Sequence, residues 1–339
     1  MSEESAPKKA RAEPAEPIAA VVDLAAFLAD ASSAEARAAC AACAASLEAT
    51  GIVLLRDARV ADADQAAFLD MMEDYFAQPE PVKLADVRKE VFYQVGATPS
   101  NVEVPICKAD DECVAAIAEL PERDRPRPIT GADPKWRFFW RIGERPAEGG
   151  FEDLNAKPVC PAHFPQWAET MDRWGGLMLA AVTTCAEMAA VGFGLPRDAI
   201  SGLMHHGPHL LAPTGSDLGV GHANRAEGTV LAGYHNDVRK SARERKRARA
   251  RAPALLLPRP CARPPLSRSL SHADPPKQLN LLTIHGKSRY PGLHVWTKDG
   301  TKMRVAIPPG CLLVQVRLSS RARAPERPNR PENTDSREK

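Results

Sequence analysis

The sequence predicts an α+β fold in which helices support a β-sandwich or jelly roll. Three observations lead to this prediction. Helical patterns fill most of residues 32–78, a long amphipathic pattern covers 164–192, and short apolar segments bounded by Gly, Pro or Asp crowd into 208–315. Helices first and closely spaced strands afterwards are typical of a sheet sandwich with a helical buttress.

Two helices and one strand are predicted in the N-terminal part of the chain. Ser32 and Glu35 have the spacing of a capping box, and Gly51 suits the left-handed residue that ends a helix. The segment "IVLLRD" that follows Gly51 is apolar enough to be a buried strand. A second helix is expected over 62–78, directly before a proline.

The long amphipathic pattern predicts a helix that begins near Phe164 and ends near Gly192. Its apolar residues recur with alternating spacings of four and three, which places them on one helix face. They are Trp167, Met171, Trp174, Met178, Ala181, Cys185 and Met188. We interpret this stripe as core rather than as a surface for a cofactor.

The strands predicted after this helix are short. They are the segments "PHLLAPTGSDL", "GTVLAGYHND", "LNLLTIHG", "GLHVWT", "MRVAI" and "GCLLVQ". Asp299 and Gly300 lie between two of them and form a typical sequence for the tight turn of a β-hairpin. The cluster therefore predicts antiparallel strands, as a sandwich or jelly roll requires.

The net charge of +2 is the sum of oppositely charged parts of the chain. Residues 238–278 contain 12 Lys and Arg against 2 Asp and Glu, and residues 316–339 contain 7 against 4. The remainder of the chain therefore carries a net charge of −11. The sequence thus predicts an acidic globular body that one basic segment interrupts and another follows.

Composition and cysteine usage favour a soluble, cytoplasmic protein with no membrane segment. Residues 1–17 lack the apolar core of a signal peptide, and no run of about 18 consecutive apolar residues occurs. The eight cysteines stand at irregular positions, which fits reduced thiols better than a disulfide framework. Cys40 and Cys43 lie in an alanine-rich helical stretch, so we interpret them as small apolar helix residues rather than as a redox or metal pair.

His235 and Asp237 form the candidate metal site. Alternate residues of a strand face the same side, so this imidazole and this carboxylate can meet at one metal ion. They would supply two ligands of a two-His, one-carboxylate face, which holds Fe(II) and leaves positions open for a co-substrate and O2. The third ligand would come from another strand. Because a lone His-x-Asp is common by chance, the flanking sequence decides between a metal site and a coincidence.

The flanks resemble a known family. "AGYHND" read directly into "LNLLTIHGKSRYPGLHVWTKDGTKMRVAIPPGCLLVQ" resembles the isopenicillin N synthase-like Fe(II)/2-oxoglutarate-dependent oxygenases. "EATGIVLLRDARVADADQAAFLDMMEDYFAQP" is similar to the N-terminal region of that family, and "GPHLLAPTGSDL" occupies the strand before the first ligand. The resemblance covers most of residues 45–315 apart from 238–278.

This resemblance implies a fold, a cofactor and a reaction. The fold would be a distorted double-stranded β-helix, or jelly roll, with an N-terminal helical buttress and a long supporting helix. His235 and Asp237 would bind Fe(II). Oxidation of a substrate C–H bond would consume 2-oxoglutarate and the co-substrate O2, with succinate and CO2 as products. The substrate is not identified by the sequence.

The sequence departs from the family pattern after Asp237. The pattern calls for a distal His and then for an Arg with a nearby Ser that holds 2-oxoglutarate, and neither is recognisable. The segment "RLSS" at 317–320 comes before any third ligand, and no His follows His294. His285 and His294 are not favoured as third ligands. The resemblance places His285 in a following loop, and His294 lies on a predicted hairpin strand, where a packed or surface histidine is expected. The resemblance therefore implies an oxygenase that is inactive or impaired in this chain.

The other histidines are weaker candidates for metal ligands. His209 lies in the strand that neighbours the pair and could line a pocket. Four further histidines are not favoured as metal ligands; they are His163, His205, His206 and His222.

The two basic segments both begin with Val-Arg, directly after an intact part of the family pattern. Every Val codon begins with GT, the usual first bases of an intron, and the codon of Gln278 can be CAG, the usual last bases. Removing 238–278 restores "YHNDLNLLTIHG" in frame. We hypothesise that 238–278 is a translated, retained intron and that 316–339 is read-through of a second one.

The alternative is a non-catalytic protein on an oxygenase scaffold. Its Arg-rich segment would bind nucleic acid or another acidic partner, because such a segment can neutralise phosphates without folding alone. The segment contains no interleaved aromatic residues, so nucleic acid is not the favoured partner.

The predicted domain organisation has one catalytic unit with additions. A disordered tail covers 1–17, an N-terminal helical and mixed region covers 18–160, and the long helix and jelly-roll core cover 161–315. The disordered basic insert 238–278 interrupts this core, and 316–339 is a disordered basic tail.

Overall fold

The computed structural model describes residues 19–108, 110–128, 131–144, 156–217, 229–234, 281–290, 292–297 and 300–316. The segments expected to be disordered lie outside these residues, except that Val316 is described and ends a strand.

Helices and strands are mixed in the first half of the chain, and short strands follow the long helix. The helices are α1 (Ala25–Ala29), α2 (Ala34–Thr50), α3 (Asp62–Ala77), α4 (Glu80–Leu84), α5 (Asp111–Glu119) and α6 (Trp167–Gly192). The strands are β1 (Val21–Asp23), β2 (Ile52–Arg56), β3 (Gly96–Thr98), β4 (Trp136–Arg141), β5 (Leu210–Leu211), β6 (Thr214–Gly215), β7 (Leu282–His285), β8 (His294–Trp296), β9 (Lys302–Arg304) and β10 (Cys311–Val316). The predicted mixture of helices and sheets is confirmed.

The central sheet has the strand order β1-β2-β10-β7. β2 runs parallel to β1 and antiparallel to β10, with Val53 opposite Val314. Alternate residues of β2 face opposite sides: Val53 and Leu55 join the core that the helices form, whereas Leu54 joins a smaller core with Val305. The sheet is therefore covered on both faces, by the helices on one side and by the chain around the β8–β9 hairpin on the other.

A second sheet is built around β4, which pairs with β3, β5 and β6. Phe138 of β4 packs edge-on against Trp167 and Tyr75, with ring centroids 4.7 and 5.3 Å away. Arg137 and Phe139 extend from the opposite face, because side chains alternate along a strand. The two sheets agree with a jelly roll, although the order of the described strands does not by itself define one.

The predicted long helix is α6, and every residue of its predicted apolar stripe is buried. Its most apolar 18-residue window has a mean hydropathy of 1.4, so α6 could cross a membrane by length and composition, yet 56% of that window is buried inside the protein. Gly192 approaches α2 so closely that an added Cβ would lie 2.7 Å from the Cβ of Ala44. These contacts show that α6 is a core helix.

The ends of α2 lie within one residue of the predicted positions. Ser33, rather than Ser32, is the N-cap, and its hydroxyl accepts a hydrogen bond from the Ala36 N–H at 3.0 Å. Ser32 instead donates its hydroxyl to Asp30 at 2.7 Å. Gly51 ends the helix with a φ of 80°, as predicted. The capping-box spacing to Glu35 selected Ser32, so that prediction was wrong by one residue.

The cysteine prediction is confirmed for Cys40 and Cys43 and wrong for Cys107 and Cys113, while Cys160, Cys185 and Cys311 are free thiols as expected. Both cysteines of "CAAC" are buried, and the Sγ of Cys43 lies 3.8 Å from the Sγ of Cys185 in α6. Cys107 and Cys113 form a disulfide, which contradicts the expectation of reduced thiols. Asp110 caps α5 by accepting from the Cys113 N–H at 3.0 Å. This turn brings the two cysteine Cα atoms to 5.1 Å, within disulfide reach.

Two neighbouring glycines in α6 should respond in opposite ways to the same substitution. A Cβ on buried Gly175 would clash with Cγ2 of Ile142, whereas a Cβ on exposed Gly176 would meet nothing within 4 Å. We expect Gly175→Ala to lower the free energy of unfolding by about 1–3 kcal/mol through overpacking. Gly176→Ala should raise it by about 0.5–1 kcal/mol, because Ala restricts the unfolded chain. Chemical denaturation measures both values, and shifts of the same sign would contradict this packing.

Candidate functional site

The predicted metal ligands His235 and Asp237 lie outside the residues that the structure describes. The described segment that leads into them is 229–234. Gly233 and Tyr234 in this segment contact two distant parts of the chain, which set their positions.

Gly233 is anchored by a buried carboxylate. Its backbone N–H donates to Oδ1 of Asp133 at 2.9 Å, and Asp133 is only 4% exposed. Oδ2 of Asp133 pairs with Nζ of Lys135. The Asp133 backbone accepts from the Asn101 N–H at 2.9 Å and donates to the Glu103 carbonyl at 2.8 Å. Because a buried carboxylate needs partners for its oxygens, these contacts hold Asp133 in one position.

Asp133 belongs to a charge network beside β4. Nζ of Lys135 lies 3.2 Å from Oε2 of Glu103, and the other oxygen of Glu103 pairs with Arg137. The Arg137 guanidinium stacks over Phe139, 3.8 Å from the ring centroid. Burial lowers the pKa of Arg137, while Glu103 and Asp133 oppose that shift. The network therefore joins two carboxylates and two cations, with balanced charge.

Tyr234 is anchored by the β8–β9 hairpin. Its ring meets Trp296 edge to face, with centroids 4.7 Å apart and an interplanar angle of 80°. The indole N–H of Trp296 donates to the Asp124 carbonyl at 2.6 Å, and the Asp124 carboxylate accepts from the Lys302 N–H at 3.1 Å. Burial raises the pKa of Tyr234, so the phenol stays neutral. The Trp296 ring, which Asp124 holds in place, therefore lies beside Tyr234, the last described residue before His235.

Neither His285 nor His294 completes a metal site with other described residues. His285 ends β7 opposite Leu313 of β10. His294 begins β8, and its Nδ1 lies 3.0 Å from the Gly292 carbonyl oxygen. Among the residues that the structure describes, no three His, Cys, Asp or Glu side chains are grouped to hold a metal ion.

The less favoured histidines are exposed or lie outside the described residues. His163, His205 and His206 are exposed, and the rings of the last two lie 3.7 Å apart. His222 lies outside the described residues, as does the "RLSS" segment at 317–320.

His209 lies half-buried just before β5. Its carbonyl oxygen accepts from the Arg141 guanidinium and from the Ile142 N–H, both at 3.0 Å. Burial, together with the nearby Arg141 charge, lowers the pKa of the His209 imidazole. The described contacts of His209 therefore tie together the ends of β4 and β5, and its place in a pocket stays a prediction.

Three solved structures resemble this one over most of the chain. A 2OG-Fe(II) oxygenase family protein from Caulobacter crescentus matches with a TM-score of 0.54 and 18% identity, over 87% of this chain and 72% of that chain. A full-length Neurospora crassa protein in complex with alpha-KG gives 0.58 and 14%, over 88% and 72%. The same Neurospora crassa protein with alpha-KG and thymine gives 0.57 and 15%, over 88% and 73%.

These comparisons define the fold. At such low identities, structural likeness shows a shared fold and not a shared activity. No protein-family model and no curated protein matches the sequence. The chain therefore has the fold of 2OG-Fe(II) oxygenases, which agrees with the fold that the resemblance implied. The narrower isopenicillin N synthase-like assignment stays a prediction.

Sequence reasoning missed the residues that anchor the segment before the candidate pair. Asp133 precedes a proline, where an acidic residue ordinarily reads as part of a turn. Trp296 carries no sequence signal beyond that of a short strand. Their partners in the fold, Gly233 and Tyr234, are distant in sequence, so local spacing carries no signal for either contact.

His209 should make stability depend on pH. Its pKa is lower in the folded protein than the value of about 6.5 expected in the unfolded chain, so below that pH the unfolded chain binds more protons. We therefore expect the free energy of unfolding to fall as the pH drops from about 7.5 through about 6.5 towards about 5. In His209→Gln this part of the loss should be absent. Denaturation at several pH values measures it, and parallel profiles for the two proteins would contradict the burial of His209.

Proposed function

We propose that this protein is an Fe(II)/2-oxoglutarate-dependent oxygenase of the isopenicillin N synthase-like group, in which His235 and Asp237 bind the iron. The observation that carries the proposal is an anchored segment, 229–234, that continues into His-Asn-Asp within an oxygenase fold. The proposed co-substrates are 2-oxoglutarate and O2. The reaction is hydroxylation or a related C–H oxidation of a substrate that stays open, and the proposed location is the cytoplasm.

The donor chemistry of the pair fits iron. An imidazole nitrogen and a carboxylate oxygen are two of the three protein ligands in a facial Fe(II) site. Iron would supply the redox centre for the reaction with O2. The network of Asp133, Lys135, Glu103 and Arg137 balances its own charges, so it adds no net charge beside Gly233.

We further propose that the chain as written binds iron and 2-oxoglutarate weakly. The sequence has no His after His294, and neither His285 nor His294 is favoured as the third ligand. Two protein ligands hold a metal less tightly than three. An Arg that follows a third ligand would bind the distal carboxylate of 2-oxoglutarate in bidentate fashion, and the sequence offers no recognisable candidate.

Turnover of 2-oxoglutarate tests the proposed impairment. We expect the purified chain with Fe(II), 2-oxoglutarate and ascorbate to form succinate close to the background of a His235→Ala, Asp237→Ala double variant. Mass spectrometry of succinate measures the difference. Turnover well above that background would support the oxygenase assignment and would contradict weak binding, because a third ligand must then be present.

Removal of the basic insert separates the oxygenase from the alternative function. We expect deletion of 238–278 to strengthen Fe(II) binding, because the deletion joins Asp237 to "LNLLTIHG" as in the family pattern. If the chain is instead a non-catalytic protein, the deletion should abolish salt-sensitive binding to RNA or DNA and leave metal binding unchanged. Anaerobic Fe(II) titration and a filter-binding assay at two salt concentrations measure the two outcomes.

The retained-intron proposal has its own test. The described residues on both sides of 238–278 belong to one folded body, since Tyr234 packs on β8 and β7 pairs with β10. Full-length sequencing of the transcript should show a message that joins the codons of Asp237 and Leu279. A message that retains both basic segments would contradict the proposal.

A further inference from the structure

The face of β4 that points away from the helical core carries buried polar atoms without partners. Thr98 of β3 lies directly opposite Arg137 of β4, so their side chains share that face. The Thr98 hydroxyl and the Arg137 Nε are buried, and neither has a hydrogen-bond partner among the described residues. We propose that Thr98, Arg137 and Phe139 bind a neutral ligand that carries a carbonyl group on an aromatic or apolar body. This site is independent of His235 and Asp237.

The two unpartnered atoms indicate an acceptor that binds to both. A buried polar atom without a partner is rare in folded proteins, because it loses its hydrogen bonds to water and gains none in return. Thr98 is only 2% exposed, so bulk water does not solvate its hydroxyl. Directly opposed residues of antiparallel strands have Cβ atoms about 4.5–5.5 Å apart. One oxygen atom on this face can therefore accept from the Thr98 hydroxyl and from the Arg137 Nε–H.

The Arg137 guanidinium is held in place while its Nε–H stays unused. One carboxylate oxygen of Glu103 pairs with the Arg137 Nη2, and the other lies 3.2 Å from the Nζ of Lys135. A carboxylate commonly binds a guanidinium with both oxygens, but Lys135 engages the second oxygen of Glu103. The Arg137 Nε–H is therefore a fixed donor that no carboxylate of the described residues fills.

Phe139 provides an apolar surface beside these donors. It is 3% exposed, yet it belongs to neither of the two apolar cores formed by the described residues. Its neighbours Phe138 and Trp140 face the other way and pack into the helical core. The Arg137 guanidinium stacks 3.8 Å from the centroid of the Phe139 ring. Small-molecule sites typically combine apolar and aromatic side chains with a few placed polar groups, as this face does.

The charges around this face favour a neutral ligand over an anion. The network contains the carboxylates of Asp133 and Glu103. It contains equally many cations, Lys135 and Arg137. A bound carboxylate would bring a buried charge for which the network has no spare cation. An amide or ketone oxygen accepts the same hydrogen bonds and adds no net charge.

Two matched probes test this choice in the full chain without iron or 2-oxoglutarate. Benzamide and benzoate have the same ring and nearly the same size, but only benzoate is charged. Ligands of this size bind weakly, so ligand-observed NMR is used to measure both Kd values. We expect benzamide to bind about tenfold more tightly than benzoate. Equal or tighter binding of benzoate, or no binding of benzamide, would overturn the proposal whether or not the protein is an oxygenase.

Conservative variants locate the bound probe. Thr98→Val keeps the shape of the side chain and removes the hydroxyl. Arg137→Lys keeps a positive charge beside Glu103 and removes the Nε–H. We expect each variant to raise the benzamide Kd by about 2- to 10-fold, which corresponds to the loss of one hydrogen bond. An unchanged Kd in both variants would place the probe elsewhere and overturn the site.

Thr184→Val and Arg59→Lys are the matched controls. Both side chains are already bonded: the Thr184 hydroxyl donates to the Ala180 carbonyl at 2.9 Å, and the Arg59 Nε donates to Asp57 at 2.9 Å. We expect neither control to change the benzamide Kd. A rise in the controls as large as in Thr98→Val and Arg137→Lys would mean that altered stability, rather than lost contacts, weakens binding, and would contradict the site.

The stability of the two threonine variants gives a second readout without any ligand. An unpartnered hydroxyl contributes no hydrogen bond, so Thr98→Val should leave the denaturation midpoint unchanged or raise it. Thr184→Val should lower the midpoint, because its hydroxyl is bonded. An equal drop in Thr98→Val would show that the Thr98 hydroxyl is satisfied in the free protein, for example by an internal water, and would remove the basis of the proposed site.

Discussion

The antiparallel pairing of β2 with β10 is the interaction on which the rest of the structure depends. Val53 lies opposite Val314, so a strand from the first part of the chain and the last described strand share the centre of one sheet. One face of this pair supports α2 and α6, and the other face supports the chain around the β8–β9 hairpin. β7 then pairs with the free side of β10, which fixes the chain just after the insert. The helices and the chain around the β8–β9 hairpin thus pack against the same two strands.

The helices and central strands could be predicted from the sequence because their signals are local. The stripe of α6 repeats at helical spacing, and Gly51 ends α2 where a left-handed residue is needed. β2 and β10 are short runs of apolar residues, and both are buried. The Cys107–Cys113 disulfide was missed because irregular cysteine spacing does not show which cysteines the fold brings together. Jelly-roll closure is likewise a matter of strand order, which periodicity does not determine.

At the candidate site, too, the sequence predicts a local pattern but not the contacts between residues that are distant in sequence. The spacing of His235 and Asp237 is a local pattern, so the sequence alone could nominate them as a pair. The groups that hold the preceding residues come from elsewhere: Asp133 from the approach to β4, and Trp296 from the hairpin. Such contacts depend on which surfaces the fold brings together. They also place a balanced set of buried charges beside the Gly233 backbone.

The distance in sequence between β2 and β10 has a consequence for how the protein is made. Contacts between remote segments form slowly, because most of the chain must be ordered before they contribute. During synthesis β2 therefore emerges with one side unpaired and waits until β10 has left the ribosome. An exposed apolar strand edge in a nascent chain is a site for aggregation, and chaperones protect such intermediates. The entropic cost of closing a loop grows by only about 0.6 kcal/mol for each doubling of loop length. An insertion between β2 and β10 would therefore chiefly lengthen the time that β2 stays unpaired during synthesis, and would change the stability of the folded protein little.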